Sequence, residues 1–174
     1  MKYLQYCFVM LFVGVLSVTQ ADGQLIRNYI NKYKDRTAEL SKEYGIPSSI
    51  ILATAIVESG AGSSRNANLL CNHFGIVGKN KLMKRKPPIK TKYKQYPTID
   101  DSYVAFCRLV SHKKYYPKLK DDMDYKKWVT AIAGAGYSTQ ADVWKSKIFY
   151  TIKKYKLVAL DKSSDETREP QKTT

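Results

Sequence analysis

Apolar residues return at three- and four-residue steps at Leu25, Ile26, Tyr29, Ile30, Tyr33, Thr37, Leu40 and Tyr44, with Lys, Arg, Asp and Glu between them. That period predicts an amphipathic helix. Gly45 follows as a left-handed cap, and Ile46-Pro47-Ser48 turns the chain into the next element, so the two helices are expected to be antiparallel neighbours. The second helix reads differently. Ile50, Ala53, Thr54 and Val57 share one face, while Ile51, Leu52, Ala55 and Ile56 cover most of the rest. A helix that is apolar nearly all round belongs in the core. This one ends on an acid, Glu58, followed by Gly60 and Gly62.

Past Gly60 the periodicity stops. Residues 65–70 are Asn-rich and read as irregular, and Asn72-His73-Phe74-Gly75-Ile76-Val77-Gly78 has the glycine punctuation of a tight loop. Residues 75–97 are expected to form a small mobile lobe of irregular strands, with residues 89–96 loosely alternating. Helical spacing resumes after Thr98-Ile99-Asp100-Asp101, a capping signal, with Tyr103, Phe106, Cys107 and Val110 on the core face of a helix reaching about His112. Tyr115-Tyr116-Pro117 breaks it. Asp124 opens another helix with Trp128, Val129, Ile132 and Ala133 inward, closed by a tight turn at residues 134–139. The last helix, from about Gln140 to Tyr155, is read with Val143, Trp144, Lys147, Ile148, Phe149, Ile152 and Tyr155 on its buried side.

Composition sets the outer limits of this plan. A chain of 174 residues that is 44% hydrophobic is long and apolar enough for one domain with its own core. Residues 1–21 have the pattern of an export signal: Lys2, an apolar run from Phe8 to Val18, then small residues around Thr19-Gln20-Ala21. The domain is placed at residues 22–160 and a disordered polar tail at residues 161–174. The formal charge of +15 falls by a single lysine on removal of the signal. Eight of the sixteen residues from Lys79 to Lys94 are Lys or Arg, and no acid occurs between Glu58 and Asp100. An exported protein of that charge points to a polyanionic partner in the envelope or outside the cell. Nucleic acid is not expected, because the basic run is a Pro-broken loop without a recognition motif. Cys71 and Cys107 survive export and either pair or remain buried thiols, and no Cys or His spacing matches a metal or haem site, so no cofactor is expected.

Glu58 is the residue with chemistry. Burial at the end of a core helix raises a carboxyl's pKa and lets it hold a proton near neutral pH, as a general acid requires. A solvated helix end is the alternative reading of the same local pattern.

Several motifs then fall into one order: Ala-Thr-Ala-Ile-Val-Glu-Ser-Gly-Ala-Gly (53–62), Asn-His-Phe-Gly-Ile (72–76), Tyr-Pro-Thr-Ile-Asp-Asp-Ser-Tyr (96–103), Tyr-Tyr-Pro-Lys-Leu (115–119) and Gly-Ala-Gly-Tyr-Ser-Thr (134–139). Together, over about residues 45–157, they resemble the glucosaminidase domain of glycoside hydrolase family 73, the bacterial autolysins and flagellar-type enzymes that cut peptidoglycan glycan strands after N-acetylglucosamine. The resemblance implies an α+β, predominantly helical, lysozyme-like fold with a small irregular β-lobe flanking a cleft. It places the general acid on Glu58 and a catalytic tyrosine on Tyr137, within Gly-Tyr-Ser-Thr where the family has Gly-Tyr-Ala-Thr. Substrate-binding positions fall on Asn72, Phe74, Gly75 and Tyr116. His73 is assigned no role.

One departure stands out. Many family members carry a second carboxylate in the lobe, where this chain has Lys and Arg. Hydrolysis then needs Asp100 or Asp101, or the 2-acetamido group of the substrate acting as nucleophile. The expected function is an exported endo-β-N-acetylglucosaminidase bound to glycan strands and an anionic wall surface. The alternatives are a muramidase or lytic transglycosylase of the same fold, and a wall-binding protein with a degenerate site.

Overall fold

The computed structural model describes residues 2–161, with side chains from Asp22 onward. The expected export signal precedes the described side chains, and all of the expected tail except Asp161 lies outside the described residues. The elements are α1 (Lys2–Tyr44), α2 (Ser48–Ser59), α3 (Arg65–Leu70), a 3-10 turn (Leu82–Lys84), α4 (Ile99–Ser111), α5 (Tyr116–Leu119), α6 (Tyr125–Gly134) and α7 (Ala141–Lys154). Among the described residues no helix is long and apolar enough to cross a membrane.

The all-round apolarity of α2 decides the packing. Its residues 48–56 are all buried, and it packs against α1, α4, α6 and α7. Ile50, Ile51 and Leu52 are fully buried, and each such side chain stabilises the fold by about 1.5–3 kcal/mol. Around it close Leu40 of α1, Tyr103, Phe106 and Val110 of α4, Trp128, Val129 and Ile132 of α6, and Ile148 and Ile152 of α7. Two of the buried hydroxyls on α2 return to the helix itself, Thr54 Oγ1 to Ile50 O at 2.8 Å and Ser59 Oγ to Ala55 O at 2.6 Å, while Ser48 Oγ donates to Thr37 O of α1 at 3.2 Å. Gly45 takes φ +63°, where a Cβ would also meet Asp121 and Lys120 within 2.8 Å, so the sharp turn from α1 to α2 needs glycine.

The expected β-lobe is not a sheet. Among the described residues there is no strand, only one isolated antiparallel bridge between Val77 and Tyr93. Pro87 and Pro88 remove two amide donors from this lysine-rich segment, and side-chain amides supplement the few backbone bonds beside the bridge, Gly78 N to Lys92 O (2.9 Å) and Lys94 N to Ile76 O (2.8 Å). Asn80 Nδ2 donates to Thr91 O (3.0 Å) and Tyr93 O (2.9 Å), while Asn72 Nδ2 donates to Ile76 O and Lys94 O, both at 2.8 Å. The fold is therefore helical, with an asparagine-stapled lobe of irregular backbone.

Three further expectations need correction. Residues 65–70 form a short helix, capped by Ser64 Oγ accepting from Ala67 N, and the sequence reading took them as irregular. Val143 and Lys147 are exposed, so the buried stripe of α7 is narrower than predicted. Asp161, read as the first residue of a disordered tail, is 2% exposed, and its Oδ1 accepts from Ser49 N at 2.8 Å. A carboxylate there satisfies a free amide in the first turn of α2 and complements its dipole. Asp161→Ala is expected to cost about 1–2 kcal/mol of stability, read as a lowered denaturant midpoint with an unchanged m-value.

Candidate active site

Glu58 occupies the last turn of α2, where the buried helix reaches the surface of a cleft of about 290 Å³. Gly60 (φ +57°) caps the helix, its amide donating to Ile56 O, and the chain then turns through Ala61 and Gly62, also at positive φ. Ser59 Oγ accepts from Gly62 N at 2.8 Å and ties that turn back. The cleft is lined by Glu58 at its base, by Gly75, Ile76 and Val77 of the irregular lobe, by Lys113 and Tyr115 after α4, and by Tyr137.

One hydrogen bond orients the carboxyl: Trp144 Nε1 of α7 donates to Glu58 Oε1 at 2.9 Å. Burial raises the Glu58 pKa above the usual glutamate value, and the Trp144 hydrogen bond and the Lys147 charge oppose that rise without cancelling it. Oε2 faces Gly75, where a Cβ would stand 3.1 Å from it. Gly75 also holds φ +64°, so both the backbone conformation and the approach to the acid require glycine.

The loop bearing Gly75 is built by Asn72, whose Oδ1 accepts from Phe74 N (3.3 Å) and Ile76 N (3.2 Å) while its Nδ2 serves the two carbonyls already described. Asn72 is 2% exposed, and it shapes the cleft without lining it. Phe74 is buried, stacks on Phe106 at 4.4 Å and contributes to the cleft lining. Its carbonyl accepts from Tyr137 Oη at 2.7 Å. Tyr137 packs on Trp144 at 5.3 Å, and burial together with the neighbouring Glu58 charge holds its hydroxyl well above the usual phenol pKa. It stays protonated and pins the loop to the acid's tryptophan partner.

Tyr116 stands apart. Its hydroxyl donates to Tyr44 O at 2.5 Å, its ring meets Trp128 at 6.2 Å, and it does not line the cleft, which takes its neighbour Tyr115 instead. His73 is also outside. Its Nδ1 bonds Tyr29 Oη at 2.6 Å, Tyr29 Oη meets Tyr103 Oη at 2.7 Å, and burial, aided by Lys32, pushes the imidazole pKa down to about 4. Cys71 and Cys107 are free thiols. The sequence reading missed Trp144 as a site residue, having counted it only as core. The available signal was that a buried indole N–H needs an acceptor.

Such a helical body, with one half-buried carboxyl beside a groove, has the layout of a lysozyme-type fold. The family model described as mannosyl-glycoprotein endo-β-N-acetylglucosaminidase matches residues 34–157, and the chain belongs to this glucosaminidase family of autolysin-type hydrolases. It is 31% identical over 150 residues to the exo-glucosaminidase LytG of Bacillus subtilis, covering 76% of this chain and 52% of that protein, so the chain spans about half of its relative's length. The fold is similar to the catalytic domain of the autolysin Auto from Listeria monocytogenes (TM-score 0.66, 21% identity, 79% of this chain and 88% of that one). It is also similar to the glycoside hydrolase domain of FlgJ from Salmonella typhimurium (TM-score 0.60, 19% identity, 82% and 95%).

Two substitutions test this geometry. Glu58→Gln is expected to lower turnover by about 10²–10⁴-fold, because the amide keeps the shape but its N–H is far too weakly acidic to protonate a leaving oxygen. Stability should move the other way. The folded state holds the Glu58 proton more tightly than the unfolded chain, so wild type loses stability as pH rises through the raised pKa. The melting temperature of Glu58→Gln relative to wild type should therefore be higher at alkaline than at acidic pH. Tyr137→Phe removes the bond to Phe74 O and is expected to cost about 0.5–1.5 kcal/mol of stability. Its turnover should fall more than that loss of folded population explains, measured as kcat at a temperature where the variant is fully folded.

Proposed function

We propose that the chain cleaves the glycan strands of peptidoglycan as an endo-β-N-acetylglucosaminidase, with Glu58 protonating the departing glycosidic oxygen. The carrying observation is that Glu58 is the one carboxyl among the residues lining the cleft, half-buried, with a raised pKa and a fixed indole partner.

The second half of the reaction needs a nucleophile. Asp100 is bound on the outer surface by Arg36, with contacts of 2.5 and 2.9 Å. Asp101 belongs to the capping box of α4, its Oδ2 accepting from Thr98 N (3.0 Å) and Thr98 Oγ1 (2.7 Å). Neither lines the Glu58 cleft. These placements favour the substrate's own 2-acetamido oxygen as nucleophile. It attacks C1 as the C1–O bond breaks, Glu58 gives its proton to the leaving oxygen, and water activated by the resulting carboxylate opens the cyclic intermediate. Gly75 admits the sugar close to Oε2, and Tyr137 keeps that approach open by holding the loop.

Substrate and location support each other. A wall polymer lies outside the cytoplasmic membrane, which suits the expected export signal, and the exposed side chains of Lys84, Arg85 and Lys86 suit an anionic wall surface. The relative's name specifies an exo-acting glucosaminidase, so the position of cleavage along the strand is the second reading.

Mass spectrometry of peptidoglycan digested by the protein is expected to show a ladder of fragments ending in reducing N-acetylglucosamine. Proton NMR of the first products should show retention of the β-anomer. Single-unit release from strand ends would establish the exo reading, anhydro- or reducing muramic acid ends a different bond, and an inverted anomer would exclude the acetamido nucleophile.

A further inference from the structure

The Glu58 cleft does not end at the lobe. Ile76 and Leu109 line it and also line an adjoining groove of about 550 Å³. The floor of that groove is one face of α4 and its C-terminal cap: Asp101, Val104, Ala105, Arg108 and Leu109, then His112, recur at helical spacing, opposite the buried face of Tyr103, Phe106, Cys107 and Val110. The facing wall is Lys94 to Pro97. Each part has a volume of the order found for small-ligand sites.

The charge along this extension is mainly positive. Lys94 and Arg108 line it, and Lys113 stands at the Glu58 end. None of the three is in an ion pair among the described residues. The acid on the floor, Asp101, already accepts two hydrogen bonds from Thr98. Lys94 is held in place: its amide donates to Ile76 O at 2.8 Å, its carbonyl accepts from Asn72, and its ammonium lies 4.9 Å over the Tyr96 ring. The same loop therefore sets both Gly75 beside the acid and Lys94 in the groove.

We infer that this extension is a subsite for a carboxylate carried by the glycan strand, Arg108 and Lys94 gripping it while the neighbouring sugar lies over Glu58. The inference rests on the proposed glycan-cleaving function and names the feature of the substrate that the enzyme reads beyond the scissile sugar. A neutral sugar has no need of two unpaired cations, whereas the wall polymer bears a carboxylate on the lactyl group of alternate sugars or on the peptide attached there. The shared chemistry is a carboxylate displayed beside a neutral N-acetylhexosamine. A planar guanidinium suits it by bidentate contact.

The test uses the full chain carrying Glu58→Gln, so that binding is read without cleavage. Its affinity is measured for a neutral N-acetylglucosamine oligomer, for a wall glycan of equal length stripped of peptide, and for the same strand with peptides. The carboxylated strands should bind about 3–10-fold more tightly than the neutral oligomer. Adding Arg108→Gln and Lys94→Gln should bring that ratio to one, and adding Lys118→Gln and Lys120→Gln, on the exposed surface near α5, should leave it intact. A preference already full with the stripped strand assigns the lactyl carboxylate, and one that requires peptide assigns the stem. Equal affinity for all probes, or a preference that survives loss of Arg108 and Lys94, overturns the subsite. If wild type still releases glycan fragments in that case, the proposed function stands and the subsite alone falls. Absence of both fragments and binding removes the two together.

Discussion

The site depends on a conflict between the burial of α2 and the charge of the residue that ends it. Three fully buried aliphatic side chains at the start of that helix contribute several kcal/mol and fix its position in the core. Glu58 must go where the helix goes. Each unit by which burial raises a carboxyl pKa costs about 1.4 kcal/mol when the group ionises, so the core can carry the burden without unfolding. The Trp144 indole keeps one oxygen satisfied in either protonation state, since an N–H donor serves a carboxylate or the carbonyl oxygen of a carboxylic acid. An acid held by a neutral donor keeps a raised pKa more readily than one held by a close cation would.

The opposite wall is set by a second constraint, the need to bring backbone against Glu58 without a sheet to support it. Asn72 does this by engaging two amides and two carbonyls of neighbouring chain with one buried side chain. Tyr137 adds a bond to Phe74 O from the other side. The loop is thus fixed by side-chain amide and phenol groups acting on backbone, together with the backbone bond from Lys94 N to Ile76 O, and Gly75 can take a left-handed position that would weaken a strand.

Much of this was legible in the sequence. The helical periods at residues 25–44, 99–111 and 125–134, the caps at Gly45, Thr98 and Asp124, and the burial of α2 follow from spacing and turn chemistry, and the structure has them. The lobe was misread because alternation at residues 89–96 imitates a strand, while Pro87 and Pro88 stand directly before it, its pairing with residues 76–79 stops at one bridge, and Asn80 takes the carbonyls of Thr91 and Tyr93. Asp161 was invisible because its partner, Ser49 N, lies 112 residues away and a polar, charged tail gives no local sign of burial. Tyr116 and Tyr115 illustrate a finer limit: adjacent tyrosines are indistinguishable by pattern, and only the short α5 decides which meets the cleft and which meets Tyr44.

A distribution of charge connects these points. The acids of α4 are held locally, Asp100 by Arg36 and Asp101 by the helix start, and although Asp101 lines the groove with Lys94 and Arg108, neither cation is in an ion pair among the described residues. A protein stabilising itself through surface ion pairs would place acids opposite Lys94 and Arg108, since each exposed pair contributes up to about 1 kcal/mol. Leaving those cations open gives up that small gain along the line that leads to Glu58. The absence of acid from Ser59 to Ile99 has the same effect over the whole lobe. It keeps Glu58 free of carboxylate neighbours from the lobe and leaves the groove beside it with a mainly positive wall. One compositional bias thus bears both on the raised pKa of Glu58 and on the positive charge of the groove beside it.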